Sequence, residues 1–148
     1  TKALGAYTKY AKLDPPYITI LIIKYNTLDG NNDVYIGNIV KCRPPQNRNP
    51  EADEAKACMD YLRNQVLLIK PKIIVLLGNV ALKNILGEEY GITNSRGKWI
   101  EKKGIWYMPT FHPAALLRDE SKKLDFWRDL KLIKEKFKIN SYYVYNIL

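Results

Sequence analysis

Two polar side chains, far apart in the sequence, interrupt apolar stretches and carry groups that serve in binding and catalysis. Asn38 stands within the apolar run 35–40, and His112, the only histidine, stands between Phe111 and Pro113. An amide offers a donor and an acceptor together, which suits the edge of a nucleobase, and an imidazole exchanges a proton near neutral pH. Each also has a structural alternative, because a strand asparagine commonly bonds a nearby turn and a lone loop histidine commonly serves in packing.

The two cysteines of the chain, Cys42 and Cys58, lie sixteen positions apart. Thiolates bind metals and iron–sulfur clusters, but a pair of thiols without further cysteines is more often packed in the core. Helical spacing places Cys58 on the buried stripe of a helix that opens at Asn49-Pro50, so burial explains this cysteine without a metal. Packing and metal binding both stay open.

A basic loop follows the strand that carries Asn38. Lys41, Arg43 and Arg48 alternate there with prolines and amides that prevent a helix. Such cations grip phosphates, or they lie on an ordinary solvated surface. With 24 Lys and Arg against 15 Asp and Glu, the formal net charge is +9, which favours a polyanionic partner such as nucleic acid.

The elements predicted around these residues alternate between strand and helix. Apolar runs predict strands at 17–25, 35–40, 72–77, 99–101 and 105–108, and helical spacing predicts helices at 50–69, 80–86 and 121–137. Phe126, Leu130, Ile133 and Phe137 should face inward on the last helix, and the apolar tail 141–148 is an edge strand or a packing arm. Because ligands collect where the strands of open α/β sheets end, Asn38 and His112 are the candidate site residues.

Length and hydropathy limit the class of protein. The chain has 148 residues, which predicts one domain, 1–148, that buries most of its apolar surface. No run of 18 or more apolar residues occurs and no leader with a cleavage site is visible, so neither membrane insertion nor secretion is indicated. We expect a cytoplasmic, intracellular location.

Several motifs together resemble the iron–sulfur, or family 4, uracil-DNA glycosylases. The resemblance extends over about residues 28–135, and its motifs are the run 35–48, the step from Cys42 to Cys58, Arg96-Gly97-Lys98-Trp99, and the segment 108–118. It implies a three-layer αβα sandwich with a central, mostly parallel sheet. It also implies DNA repair by base excision, in which the N-glycosidic bond of uracil is hydrolysed after the base is flipped out of the DNA.

The resemblance assigns roles to residues of this chain. Asn38 would read the edge of the flipped uracil, and His112 would donate to the oxyanion that develops at O2. The loop 111–118 would enter the minor groove as a wedge, with Ala114, Leu116 and Leu117 as its apolar tip and Arg118 as the cation for the phosphates. The DNA-binding residues implied are Lys41, Arg43, Arg48, Arg96, Lys98, Pro113, Ala114, Leu117 and Arg118. The expected partner is uracil-containing DNA, single- or double-stranded, bound by a monomer.

The chain also departs from that family. Family members hold a four-iron four-sulfur cluster with four cysteines, and Cys42 and Cys58 would be two of these ligands, yet the chain has no others. The Gly-Glu-x-Pro-Gly loop that positions the attacking water is not found in residues 1–33, which we treat as an atypical or truncated part. A truncated or internally deleted gene, a piece of a larger protein, and a catalytically inactive DNA-binding homologue are all consistent with this pattern. Besides the glycosylase and the inactive DNA-binding homologue, a third possible function is that of a purely structural or protein-interaction domain.

One segment is predicted differently by its residues and by the resemblance. Residues 17–25 are β-branched and apolar nearly all round, which favours a buried strand. In the family, a helix precedes the strand that carries the Asn38 position. Both predictions stay open for 17–25, and the helix that the resemblance implies is the one we favour.

Overall fold

A five-stranded sheet forms the centre of the computed structural model, which describes residues 20–25, 32–37 and 51–137. Its strands lie in the order β2-β1-β3-β5-β4. They are β1 (Ile20–Tyr25), β2 (Asn32–Gly37), β3 (Ile73–Leu77), β4 (Ile100–Lys102) and β5 (Ile105–Thr110). The predicted strand at 72–77 and the predicted hairpin around residue 103 are confirmed.

Five α-helices and one 3₁₀ turn surround this sheet in the described ranges. They are α1 (Ala52–Ile69), α2 (Gly78–Leu86), α3 (Ile92–Ser95), α4 (Pro113–Arg118), the 3₁₀ turn Glu120–Lys122 and α5 (Lys123–Phe137). The three predicted helices are confirmed as α1, α2 and α5, and the short helices α3 and α4 are additional. None of the helices in the described ranges is long and apolar enough to cross a membrane.

The strand directions define a mixed sheet. β3 and β5 pair in parallel, whereas β1 is antiparallel to both β2 and β3, and β4 is antiparallel to β5. Therefore β2, β3 and β5 run in the same direction, and β1 and β4 run against them. The predicted α/β class is confirmed, and the predicted common direction holds for three of the five described strands.

Residues 20–25 form the strand β1, so the helix that the resemblance implies for this segment is wrong. Ile20 and Ile22 are almost fully buried in a strand that has neighbours on both sides. Branching at Cβ and hydrogen-bonded neighbours on both sides favour an inner strand, as the residues alone predicted. Local composition therefore decided this segment.

The strand register brings three strand ends to the same edge of the sheet. Gly37 lies opposite Ile20, Ile20 opposite Leu76, and Leu76 opposite Pro109, so one row crosses four strands. One residue further on, Leu77 lies opposite Thr110. β2, β3 and β5 thus end at one edge, which we call the carboxyl edge, after Gly37, Leu77 and Thr110 respectively.

Helices cover both faces of the sheet, which confirms the predicted three layers. A methyl group at Gly37 would lie 3.7 Å from Leu62 Cδ1, so α1 packs on the face to which Gly37 and its row point. Neighbouring residues of a strand point to opposite faces, so Thr110 points away from α1, and it bonds to Asp129 on α5. All five residues of β3 are buried between these layers.

The core lies on both sides of β3 and continues under α5. Phe126, Leu130 and Ile133 face inward on α5 as predicted, and the side chain of Phe137 lies outside those the structure describes. The buried apolar side chains are Ile20, Ile22, Leu62, Ile73, Ile74, Val75, Leu76, Leu77, Ala81, Leu82, Leu86, Ile92, Met108, Phe111, Leu116, Phe126, Leu130 and Ile133.

A glycine turn joins the end of β3 to the residue that follows β5. Gly78 has φ +85°, and a methyl group on it would lie 3.2 Å from His112 Cβ. A side chain at this position would be strained by the backbone and would press on the histidine. Gly78 therefore allows the two chain segments to approach closely at the carboxyl edge.

Two leucines of α1 give a matched test of the packing of this helix. Leu62 is 2% exposed and Leu68 is 82% exposed. We expect Leu62→Ala to lower the free energy of unfolding by about 3 kcal/mol, because it removes buried methyl groups and leaves a cavity. Leu68→Ala should change it by less than about 0.5 kcal/mol. Urea denaturation measures both values, and equal losses would contradict the placement of α1.

Two glycines with similar backbone angles test the contact with His112. Gly78 has φ +85° and Gly104 has φ +78°, but only a methyl group on Gly78 would meet another residue. Each change to alanine should cost about 1 kcal/mol for the left-handed backbone. Gly78→Ala should cost more and should shift the NMR signals of the His112 ring. A loss equal to that of Gly104→Ala, with the ring signals unmoved, would contradict the contact.

Candidate active site at the carboxyl edge

His112 caps the helix that follows it. Its backbone angles, φ −69° and ψ 140°, are extended, Pro113 occupies the first turn of α4, and Nδ1 accepts a hydrogen bond from Ala114 N–H at 3.0 Å. Because Nδ1 accepts this hydrogen bond, we assign the tautomer of the neutral imidazole that carries its proton on Nε2. His112 is thereby set up as a hydrogen-bond donor through Nε2.

The turn after β3 lies beside His112 at the carboxyl edge. Gly78 approaches the histidine Cβ, and the neighbouring Asn79 Oδ1 accepts a hydrogen bond from Ile92 N–H at 2.9 Å. That bond ties the start of α2 to the start of α3. The segment leading to Arg96 is therefore fixed to the same turn that lies behind His112.

A buried carboxylate holds the last residue of β5. Asp129 is 0% exposed, and its Oδ2 accepts from the Thr110 hydroxyl at 2.7 Å. Arg96 donates to both oxygens of the same carboxylate, from Nε to Oδ2 at 3.0 Å and from Nη2 to Oδ1 at 2.6 Å. Arg96 Nη2 also donates to the carbonyl of Asp125 at 3.2 Å. We call Arg96, Asp129 and Thr110 the clamp.

The electrostatics of the clamp are those of a coupled ion pair. Burial raises the pKa of the Asp129 carboxyl, and the hydrogen bonds from Arg96 and Thr110 oppose this shift. The hydrogen bond to Asp129 raises the pKa of the Arg96 guanidinium. Arg96 and Thr110 thus offset part of the effect that burial has on the pKa of this carboxyl.

Two cations flank the aromatic residue between the clamp and His112. The ring centroid of Phe111 lies 5.7 Å from Arg96 Cζ and 5.3 Å from Lys122 Nζ. Lys122 also lies 3.9 Å from Asp119. The Phe111 ring therefore lies between two cations, each of which is also paired with a carboxylate.

Helix α4 presents one of its two leucines to solvent. Leu117 is 77% exposed, whereas Leu116 is 8% exposed and belongs to the core. The expectation that both leucines form the wedge is therefore wrong for Leu116, because adjacent helical residues point about 100° apart and only one of them points outward. Arg118 is exposed next to Leu117, and Pro113 and Ala114 are half-buried.

Other predicted site residues lie outside the described residues. Asn38, Lys41, Cys42, Arg43 and Arg48 fall there, so their roles stay predictions, although β2 ends at Gly37, one residue before Asn38. Cys58 lies in α1, but its side chain is not among those described.

Two of the predicted DNA-binding residues lie in the loop before β4. Lys98 is exposed there, and Arg96 is engaged with Asp129. Contacts of both residues with DNA stay predictions. In the described ranges no group of three or more His, Cys, Asp or Glu side chains is arranged to hold a metal ion.

The sequence analysis missed Gly78, Thr110 and Asp129 as parts of this site. Asp129 did leave a signal, because it falls three residues after Phe126 and next to Leu130, on the apolar stripe of α5. A carboxylate on an inward stripe is rarely buried without a partner. Gly78 lies between the predicted strand 72–77 and the predicted helix 80–86, and its contact with residue 112 has no local signature.

Comparison with known proteins identifies the family. The model of the uracil DNA glycosylase superfamily matches residues 11–131. A type-4 uracil-DNA glycosylase of Sulfurisphaera tokodaii is 46% identical over 112 residues, which are 70% of this chain and 51% of that protein. A type-4 uracil-DNA glycosylase of Thermotoga maritima is 46% identical over 96 residues, which are 62% of this chain and 49% of that protein.

A longer protein contains a similar segment. A DNA polymerase of Bacillus phage SP01 is 38% identical over 106 residues, which are 72% of this chain but 11% of the polymerase. The chain spans about half the length of the curated glycosylases it matches. The resemblance noted from the motifs is confirmed, and since the family model matches well over half of the 148 residues, the chain belongs to the uracil DNA glycosylase superfamily.

Proposed function

We propose that this chain excises uracil from DNA by hydrolysing the N-glycosidic bond of a flipped-out nucleotide. The observation that carries the proposal is the state of His112: the sole histidine lies at the carboxyl edge with Nδ1 bonded to Ala114 N–H, so its proton is on Nε2. The names of the relatives, type-4 uracil-DNA glycosylases, supply the substrate.

The chemistry asks for a donor where negative charge develops. When the bond between C1′ and N1 breaks, its electron pair moves onto uracil and charge collects at O2. The Nε2–H of His112 donates a hydrogen bond to that oxygen, and a water molecule supplies the hydroxyl to C1′ and the proton to uracil. A neutral imidazole held in one orientation stabilises the departing anion without reorganisation, which is worth about 3 kcal/mol for a donor of this kind.

Recognition of the base is assigned to Asn38. β2 ends at Gly37, in the same row as Leu76 and Pro109, and Asn38 is the next residue in the sequence, which supports this assignment. An amide there reads the donor and acceptor pattern of uracil. Amide and imidazole then approach the base from two different strands.

Contact with DNA is assigned to α4 and the basic loops. Leu117 is exposed at the surface of α4, where an apolar side chain can enter the base stack, and Arg118 lies beside it for a phosphate. The further phosphate contacts proposed are Lys41, Arg43, Arg48, Arg96 and Lys98. Uracil-containing DNA, single- or double-stranded, is the proposed partner of a monomer, in an intracellular location.

The iron–sulfur cluster of the family does not fit this chain by itself. Four thiolates hold such a cluster, and Cys42 and Cys58 are the only cysteines among the 148 residues. A cluster bound here would need two ligands from outside these residues. The excision chemistry proposed above depends on His112 and Asn38.

A second function has its own supporting observation. Residues 1–33 carry no Gly-Glu-x-Pro-Gly segment, so the group that positions the attacking water in the resembling family has no counterpart there. A chain that keeps the DNA contacts without this group would be a catalytically inactive DNA-binding homologue. Such a protein would bind DNA with a strong salt dependence and release no uracil.

Two substitutions at His112 test the excision proposal. His112→Asn keeps an oxygen that accepts from Ala114 N–H but removes the ring donor, whereas His112→Ala removes both. We expect each variant to slow uracil release from a single-stranded oligonucleotide by about a hundredfold or more. Only His112→Ala should also lose stability, by about 1 kcal/mol.

The control for this assay is Arg63→Ala on α1, an exposed residue paired with Asp60 and given no role in binding or catalysis. Its uracil release should equal that of the wild type. If the wild type and His112→Asn are equally inert while both still bind DNA, the excision proposal fails and the inactive homologue is favoured.

Leu117 and Leu116 give a matched test of the wedge. We expect Leu117→Ala to slow excision from double-stranded DNA about tenfold and to have little effect on single strands, because only a duplex must be unstacked. Its stability should be unchanged, whereas Leu116→Ala should cost about 3 kcal/mol of unfolding free energy because Leu116 is buried. Equal rates for Leu117→Ala and wild type on duplex DNA would rule out the wedge.

A further inference from the structure

We infer that Arg96 is a positioning residue for His112, acting through the buried carboxylate of Asp129. This inference rests on the proposed function for its effect on rate, and on the geometry of the clamp for its effect on the histidine. Arg96 would then serve the site from inside the protein, in addition to the phosphate contact predicted for it.

The first observation is that one carboxylate joins three segments of the chain. Asp129 lies on α5, Thr110 ends β5, and Arg96 lies in the loop before β4. The Asp129 oxygens accept three hydrogen bonds of 2.6 to 3.0 Å from the other two residues. Thr110 is two residues before His112, so the bond that holds Thr110 also fixes the chain that leads into the histidine.

The second observation is that the Arg96 loop follows the end of β5 residue by residue. Gly97 N–H donates to the Pro109 carbonyl at 3.0 Å. Arg96 and Thr110 both bond to the carboxylate of Asp129, which connects the two residues. The Cζ atom of Arg96 lies 5.7 Å from the centroid of the Phe111 ring. Three consecutive residues before His112 are therefore held from one side. Gly97 has φ +72°, and a methyl group on it would lie 2.7 Å from Asp129 Oδ1, so the loop comes as close as a glycine allows.

The third observation is that His112 is held from the other side as well. Gly78 approaches its Cβ, and Ala114 N–H bonds its Nδ1. With the preceding residues fixed by the clamp, the imidazole keeps the orientation in which Nε2 is the donor. Arg96 bonds to Asp129, Asp129 bonds to Thr110, and Thr110 lies two residues before His112. Because it acts through these residues, Arg96 is a positioning residue and not a catalytic one.

Net stability is a poor explanation for such a pair. A buried ion pair contributes little more than well-packed apolar side chains of the same volume, although removal of one partner alone is costly. What apolar side chains lack is a set of directed bonds. The clamp therefore predicts that stability and histidine geometry can be separated by mutation.

The main test compares Arg96→Met/Asp129→Leu with the wild type. The double variant removes both charges and leaves no buried ion unpaired, so its urea midpoint should stay close to that of the wild type. His112 is the sole histidine, so its ring gives one set of nitrogen NMR signals. We expect these signals to move toward a mixture of the two neutral tautomers in the double variant.

The rate and the affinity for DNA separate positioning from phosphate contact. A positioning role predicts that kcat for uracil release falls about tenfold to a hundredfold. The Kd for DNA stays unchanged if positioning is the only role of Arg96, and it weakens as well if Arg96 also contacts a phosphate. A phosphate contact by Arg96 alone predicts the reverse, a weaker Kd and a salt slope smaller by about one, with kcat unchanged. The latter result would overturn the inference.

Thr110 supplies a second pair of variants in case the double variant does not fold. Thr110→Val removes the hydroxyl and keeps the shape, whereas Thr110→Ser keeps the hydroxyl. We expect the His112 signals to shift in Thr110→Val and to stay at the wild-type positions in Thr110→Ser. The control is Arg63→Met, which breaks the exposed pair with Asp60 and should leave the signals unmoved.

The NMR result decides the inference even if the chain releases no uracil. Unmoved ring signals in Arg96→Met/Asp129→Leu, or in Thr110→Val where the double variant is unfolded, would show that the clamp does not set the histidine. Shifted signals in a protein that releases no uracil would uphold the positioning and refute the excision proposal.

Discussion

The parallel pairing of β3 with β5 is the constraint on which the candidate site depends. Leu77 lies opposite Thr110, so the residue after one strand and the residues after the other leave the sheet side by side. This pairing makes Gly78 a neighbour of His112, although 34 positions separate them in the sequence. β2, which runs in the same direction two strands away, ends with Gly37 in the same row.

Hydrogen bonds among Arg96, Asp129 and Thr110 then fix the geometry of the segments that the strand pairing brings together. The carboxylate of Asp129 binds α5 to the last residue of β5, and Arg96 adds the loop before β4 to the same point. The hydrogen bonds among hydroxyl, carboxylate and guanidinium are directional. The apolar contacts around Phe126 and Leu130 stabilise the fold but do not have a preferred direction. The apolar core thus sets the distance between the helices and the sheet, and the clamp fixes the end of β5, from which the chain leads to His112.

Much of this fold could be predicted from local pattern. The five successive apolar residues of β3 indicated an inner strand, and the spacing of Phe126, Leu130 and Ile133 indicated the inward face of α5. The composition of β1 also indicated a strand, and only the expectation taken from the resemblance made it a helix. Its direction could not be predicted, because a run that is apolar at nearly every position has the same pattern whether its neighbours are parallel or antiparallel.

Less of the site could be predicted, because its parts depend on contacts between distant segments. Type and position singled out His112, but nothing near residue 78 indicated that a glycine there would touch it. Leu116 and Leu117 are indistinguishable by type, and only the orientation of α4 makes one buried and the other exposed. Arg96 looked like a surface cation, since its partner Asp129 is 33 positions away.

The most direct test of a functional carboxyl edge is a map of amide chemical shifts on binding a short uracil-containing oligonucleotide. The account predicts that the largest shifts fall on Gly37, which ends β2, on Gly78, which follows β3, and on Ala114, which bonds His112, with the His112 ring moving in the same titration. Shifts that gather instead on the exposed stripe of α1 around Tyr61 and Leu68, with the carboxyl edge unmoved, would contradict it.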